Sequence, residues 1–387
     1  MPQGRDESTS VPTDWLPALI VGAGPAGLAS AACLKRRGID PLVLEAGPSL
    51  GNSWRRHYDR LHLHTVKQQS HMPGMPFAKT LPRYPSRADV VSYLEAYAAR
   101  FAIEPRTGEA VRRVRTEDGG FVVESERAVY RARAVVISAG LNRVPNPERL
   151  PDQDRFRGTL IHSGVYRNAD RFAGQRVLVV GAGNTGAEIA LDLAEHGARP
   201  AMALRSPVNI VPRDFLGIPT HLTSIRIRWL PLAVRDRIGR VVSRLAFGNL
   251  ARHGFARPEI GPLSAFELRG RVPLIDVGTI AAVKRGEIAV KPAVVRFTET
   301  GATFADGSTG DFDAVVLATG YRPALEEIVT VPGVLDDGGY PRDWRGGSTT
   351  PNLFFVGYMQ PATGLLRQIA IEAEAVAVAI AGTNARR

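Results

Sequence analysis

Ala18-Leu-Ile-Val21 followed by Gly22-Ala-Gly24-Pro-Ala-Gly27 reads as a buried strand, a tight glycine turn and the start of a helix. Val177-Leu-Val-Val180 and Gly181-Ala-Gly183-Asn184-Thr185-Gly186 repeat that pattern about 160 residues later. In such a unit the first glycine permits the turn. The second lets a pyrophosphate approach the backbone, and the third lets helix and strand pack closely. The free N–H groups and positive dipole end of the helix then face the phosphates. One such motif is a weak signal. Two, each in full strand–turn–helix context, predict an α/β chain with two Rossmann-like dinucleotide-binding domains.

The next strand of each unit says which dinucleotide. Pro41-Leu-Val-Leu44 ends in Glu45, a carboxylate placed to accept from a ribose 2′-hydroxyl and to repel a 2′-phosphate, as FAD or NAD requires. Ala201-Met-Ala-Leu204 ends in Arg205-Ser206, where a guanidinium suits a 2′-phosphate through bidentate hydrogen bonds. Each charge has a plainer reading as a solvated surface group. Taken with the spacing, the first site is expected to hold FAD on Gly22, Gly24, Gly27 and Glu45. The second is expected to hold NADPH on Gly181, Gly183, Asn184, Thr185, Gly186, Arg205 and Ser206.

A chain of 387 residues suits two domains with real cores. Its single cysteine, Cys33, allows no internal disulfide and no redox-active pair, which fits a reducing cytoplasm and removes dithiol-reductase chemistry. The net charge of +11 comes mostly from scattered arginines, with no basic tail and no nucleic-acid module, so no nucleic-acid partner is expected. No metal cluster is evident either. Residues 1–14 lack the apolar stretch of a signal peptide, and no apolar run approaches the roughly 20 residues of a membrane span.

Along the chain, residues 1–14 are expected to form a disordered tail. Residues 88–100 carry a helical pattern, residues 111–136 a short antiparallel meander turning at Asp118-Gly119-Gly120, and residues 288–304 a second meander. Each half closes with an apolar strand and a glycine, Ile137-Ser-Ala-Gly140 and Leu317-Ala-Thr319-Gly320. This duplication implies a nested plan with the NADPH domain inserted in the FAD domain. The expected boundaries are 15–145 with 312–384 for FAD and 151–311 for NADPH, linked by the proline-rich Val144-Pro-Asn-Pro-Glu-Arg-Leu-Pro151. Residues 224–250 interleave arginines with apolar positions, which suits a membrane surface, a lid or a packed helix. The surrounding pattern favours a lid or plain packing.

Phe156-Arg-Gly158-Thr-Leu-Ile-His162-Ser-Gly-Val-Tyr166-Arg167 resembles the FxGxxxHxxx(Y/F)(K/R) fingerprint of class B flavin-containing monooxygenases. Tyr58-Asp-Arg-Leu-His-Leu-His64, Gly74-Met-Pro-Phe77, Val211-Pro-Arg213, Ala318-Thr-Gly-Tyr-Arg322 and Trp344-Arg-Gly-Gly347 are similar to stretches of the YUCCA-type members of that family. The resemblance implies that NADPH reduces FAD and that reduced flavin and O2 form a C4a-(hydro)peroxyflavin. That species would oxygenate a small organic substrate, such as an aryl 2-oxo acid in an oxidative decarboxylation. Oxygenation of a soft nitrogen or sulfur, or an NADPH oxidase without oxygen transfer, are the alternatives.

The resemblance also carries residue roles. His64 falls where flavin-containing monooxygenases place an asparagine that helps hold NADP+, so His64, with Lys67 and Gln68 nearby, is the candidate catalytic set. Trp54 resembles a GxxW element after the FAD ribose site. Val111, Gly357 and Leu365 join the FAD set; Thr319 and Gly320 join the NADPH set. Tyr358 replaces the aspartate that related flavoproteins place after the glycine equivalent to Gly357. A homo-oligomer is compatible with all of this.

Overall fold

The computed structural model describes residues 14–146, 149–343 and 350–384. Trp344-Arg-Gly-Gly347 and residues 1–13 of the expected tail lie outside the described residues.

Leu19–Val21 is flanked by Leu42–Leu44 and Val135–Ile137, and Leu353–Phe355 completes a four-stranded parallel sheet. Strands this short and wholly apolar are what burial on both faces demands. Ile20, Val43, Val136 and Phe354 face a core shared with the helices Pro25–Lys35, Arg87–Arg100 and Leu365–Asn384. Leu19, Val21, Val135 and Phe355 face the opposite core, closed by the meander Val111–Glu117, Gly120–Ser125 and Val129–Ala132. The helix expected over 88–100 runs Arg87–Arg100, started by a reciprocal cap between Ser86 and Asp89.

The second sheet repeats this design with five parallel strands. Their order is Ala289–Lys291, Arg199–Ala203, Arg176–Val180, Ala314–Leu317, Thr159–His162. Asn184–Glu195 and Thr279–Arg285 cover one face, and the meander Val294–Phe297, Gly301–Phe304 and Thr309–Asp311 covers the other.

Two strands lie elsewhere than the sequence suggested. Ala289–Lys291, read as part of the second meander, is the parallel edge strand beside Arg199–Ala203. Ala314–Leu317, placed with the FAD segment by the boundary at 312, pairs instead with Val177–Val180 and Thr159–His162. The chain leaves the second sheet only after it. Tyr321–Arg322 then pairs antiparallel with Val144–Pro145, and the Asn146 N–H donates to the Gly320 carbonyl at 3.0 Å. Outgoing and returning strands are thus bonded to each other.

The arginine-rich stretch forms two helices, Thr220–Arg226 and Leu232–Phe247, separated near Pro231. Asp236 and Phe247 turn inward while Trp229, Val234, Val241 and Leu245 are exposed. Among the described residues no helix is long and apolar enough to cross a membrane.

Candidate active site

Both glycine turns follow one atomic plan. Gly22 (φ +103°) and Gly181 (φ +114°) adopt backbone that L side chains rarely take. A Cβ there would sit 2.5 Å from the Ser138 carbonyl oxygen and 2.4 Å from that of Ala318, respectively. At Gly27 and Gly186 a Cβ would come within 1.8 and 2.1 Å of the carbonyl oxygens of Gly22 and Gly181. The middle glycines differ. A Cβ on Gly24 or Gly183 would meet nothing within 4 Å. The protein's own packing leaves that side of each turn open, which is the space a pyrophosphate resting on the backbone would use.

Glu45 is fixed to the first turn. Its Oε2 accepts the Ala23 N–H and its Oε1 the Gly47 N–H, both at 2.8 Å. Each oxygen retains a lone pair for a ribose hydroxyl. The Gly51 N–H donates to the Ala23 carbonyl at 2.9 Å, which ties the short helix Asn52–Arg55 to the same turn. Trp54 on that helix is half-buried and meets His57 edge-on. Val111 opens the first meander, half-buried against the other face of the sheet. Gly357 (φ +89°) donates its N–H to the buried Glu372 carboxyl at 2.8 Å, and burial pushes that carboxyl up to about 7. Leu365 opens the C-terminal helix.

Beside the second turn lies a cavity of about 640 Å³, lined by Gly181, Gly183, Arg205, Ser206, Arg271 and Thr319 among others. The Thr319 hydroxyl is buried without a hydrogen-bond partner, a polar atom waiting for an external one. Gly320 follows with φ +89°. The Asn184 side chain is already engaged: its Oδ1 accepts the Ile275 N–H at 2.7 Å and its Nδ2 donates to the Pro273 carbonyl at 3.3 Å. It braces the cavity wall, and Thr185 follows it in the first helical turn. Arg271 was not singled out from sequence, because only the path of the chain between 258 and 273 brings it to the cavity.

Three consecutive residues join the parts. His64 Nε2 lies 2.6 Å from Glu188 Oε1 on the second dinucleotide helix, and Glu188 is buried. A Cβ on Gly364, just before the C-terminal helix, would come within 3.0 Å of Thr65 Cγ2. The Val66 N–H donates to His221 Nε2 at 3.4 Å, on the helix Thr220–Arg226. Burial pushes His221 down to about 4, so its Nε2 stays free to accept. Alongside, Arg60 forms a forked pair with Glu195 at 2.7 and 2.9 Å, and the buried Tyr58 packs into the second core.

For Lys67 and Gln68 the sequence leaves two readings open, an anionic substrate or solvent. The Lys67 ammonium donates to the carbonyls of Ala78 (3.1 Å), Lys79 (2.7 Å) and Leu81, so its donors clasp the loop. Gln68 is exposed on the turn Lys67–Gln69. His162 of the fingerprint accepts the Gly164 N–H at 3.0 Å and stacks edge-on against Tyr321, a structural task between the sheets.

The sequence matches the family described as pyridine nucleotide-disulphide oxidoreductase over residues 19–213. The indole-3-pyruvate monooxygenase YUCCA1 of Oryza sativa subsp. japonica is 40% identical over 364 residues, 89% of this chain and 87% of that protein. The chain belongs to the YUCCA family of monooxygenases. A second member, the probable indole-3-pyruvate monooxygenase YUCCA4 of Arabidopsis thaliana, is 36% identical over 88% of this chain and 84% of its own length. This YUCCA-family enzyme is a flavin-dependent monooxygenase with FAD and NADPH as cofactors. Its fold is similar to that of an oxidised steroid monooxygenase bound to NADP, with a TM-score of 0.75 at 19% identity, covering 95% of this chain and 86% of that one. It is also similar to a bacillithiol disulfide reductase from Bacillus cereus, with a lower TM-score of 0.67 at 22% identity, covering 95% and 98%. The one cysteine of this chain, Cys33, is buried, and burial pushes its thiol up to about 12.

Proposed function

We propose that the enzyme carries out the oxidative decarboxylation of an aryl 2-oxo acid of the indole-3-pyruvate type. One oxygen atom of O2 enters the resulting carboxylic acid and the other leaves as water. The keto acid's carboxyl departs as CO2, and NADPH supplies the two electrons. The observation that carries this reading is the 35–40% identity, over 85% or more of the chain, to relatives named for that substrate.

In this reading residues 15–145 and 321–384 form the FAD domain, and the NADPH domain lies between them. The sheet memberships and the bonded exit strands support that nested arrangement. FAD, when bound, accepts the hydride and activates O2. Gly22, Gly24 and Gly27 receive its pyrophosphate and Glu45 its ribose, while Trp54, Gly357 and Leu365 border it. Gly181, Gly183 and Gly186 receive the NADPH pyrophosphate, Arg205 and Ser206 its 2′-phosphate, and Thr319 offers its unpartnered hydroxyl. His64 stands where the two halves meet. With Nε2 turned to Glu188, its Nδ1 is the nitrogen left for a cofactor or substrate.

The test is product analysis under 18O2 with NADPH and indole-3-pyruvate. One labelled oxygen in the arylacetic acid, with CO2 in equal amount, is expected. A labelled sulfoxide or N-oxide from a thioether or amine, with the keto acid inert, would assign the heteroatom reaction instead. Stoichiometric hydrogen peroxide with every substrate would assign an oxidase.

A further inference from the structure

Arg205 has a cationic neighbour that no motif announces. The strand Ala289–Lys291 runs parallel to Arg199–Ala203 with Lys291 opposite Ala203, and the Leu204 N–H donates to the Lys291 carbonyl at 2.9 Å. Lys291 therefore ends its strand level with the point where Arg205 and Ser206 leave the adjacent one. Arg205, Ser206, Lys291 and Asp306 line a second cavity of about 420 Å³. Arg205 and Ser206 also line the dinucleotide cleft, so the two cavities adjoin at those residues. Lys291 Nζ rests 5.7 Å from the centre of the Phe304 ring, which gives the side chain a defined position. The Asp306 carboxylate is engaged within its own turn, accepting the Ser308 N–H at 2.9 Å and the Ser308 hydroxyl at 2.6 Å.

In a Rossmann unit the adenosine ribose lies over the carboxyl end of the second strand. Lys291 stands at the neighbouring strand end, on the cavity that Arg205 and Ser206 share with the dinucleotide cleft. A phosphomonoester on the ribose 2′-oxygen carries about −1.5 to −2 charges at neutral pH, more than one guanidinium neutralises. We propose that Lys291 is a second cation of the 2′-phosphate subsite and, together with Arg205, sets the preference for NADPH over NADH. The division of labour follows from their chemistry: Arg205 supplies a planar fork, and Lys291 a compact point charge. The inference rests on reading Arg205 and Ser206 as the NADPH end of the cleft.

The test needs no turnover. The FAD-loaded enzyme is titrated calorimetrically with 2′,5′-ADP and with 5′-ADP, which differ only in the 2′-phosphate. Wild type is expected to prefer 2′,5′-ADP by about tenfold or more. Lys291→Met keeps the aliphatic stem over Phe304 without the charge. It is expected to lower that preference about fivefold, while Lys291→Arg keeps most of it. If Lys291→Met retains the full preference while Arg205→Ala abolishes it, the role of Lys291 is overturned and the NADPH reading stands. An equal loss in Lys291→Met and Lys291→Arg would assign the effect to packing and also overturn it. If wild type binds the two nucleotides equally, the NADPH reading fails, and the inference with it.

Discussion

A methyl group added at Gly24 or at Gly27 tests two different demands on one turn. At Gly27 the new Cβ would overlap the Gly22 carbonyl oxygen at 1.8 Å, a backbone atom that cannot swing aside. Gly27→Ala is expected to destabilise the protein by about 1–3 kcal/mol or more, and to be isolated with little flavin. Gly24→Ala meets nothing within 4 Å, so the FAD-free protein should melt as wild type does while its FAD affinity falls about tenfold. Flavin absorbance per chain and thermal melts of both forms check this; a Gly24→Ala protein that retains full FAD affinity would remove the pyrophosphate from that face. Cys33 gives a second residue-scale prediction. Its thiol is buried, so Cys33→Ala is expected to keep NADPH-driven product formation, and a thiol reagent should label the wild type only on unfolding. Loss of product formation in Cys33→Ala at normal flavin content would contradict that. The glycines and Glu45 were legible because their rule is local, one backbone turn and the residue ending the next strand. Lys67 and Asn184 were not. Their partners, the carbonyls of 78, 79 and 81 and the strand at 273–275, are set by a path the sequence does not spell out.

Elements were legible where periodicity is strong, and less so where three residues make a strand. Ala289–Lys291 has the composition of a meander strand, and nothing in three residues separates parallel from antiparallel pairing. The buried acid that docks the C-terminal helix Leu365–Asn384 was not legible, because its apolar surroundings come from other elements. Glu372 accepts the Gly357 N–H at 2.8 Å and a Gln368 amide proton at 3.0 Å, and burial raises its carboxyl from 4.5 to about 7. An acid raised in the folded state stabilises the fold fully below its unfolded pKa. That contribution is lost as the pH rises through the folded value. Glu372→Gln removes the titration but keeps an acceptor for Gly357. Urea unfolding between pH 5 and pH 8 should therefore show the variant gaining on wild type by up to roughly 3 kcal/mol, the gain complete near pH 8. A constant difference across that range would mean that Glu372 titrates as an ordinary carboxylate.

At the scale of the whole molecule, the repetition of turn, helix, meander and glycine-ended strand predicted two like sheets, and two like sheets are found. The boundary at 312 falls one strand ahead of Tyr321–Arg322, where the chain leaves the second sheet, because which sheet Ala314–Leu317 joins depends on neighbours far away in sequence. How the halves touch was not legible at all. The loop over residues 57–66 follows the first sheet in sequence, yet grips the second dinucleotide helix through His64 to Glu188 and Arg60 to Glu195. That helix presents its N-terminus to the cavity beside the second glycine turn, whereas no residue of the loop lines that cavity. A ligand that steadies the helix must then steady the loop through these pairs, because both contacts depend on the helix keeping one position. Hydrogen exchange on adding NADP+ is expected to slow over 181–186 and also over 57–66. In Glu188→Ala, protection over 181–186 should persist while that over 57–66 falls. NADP+ affinity should drop about three- to tenfold, on the scale of typical coupling between sites. Unchanged protection of 57–66 in that variant would shift the link to Arg60 and Glu195. His64 would then be held by its own loop rather than by the cofactor helix.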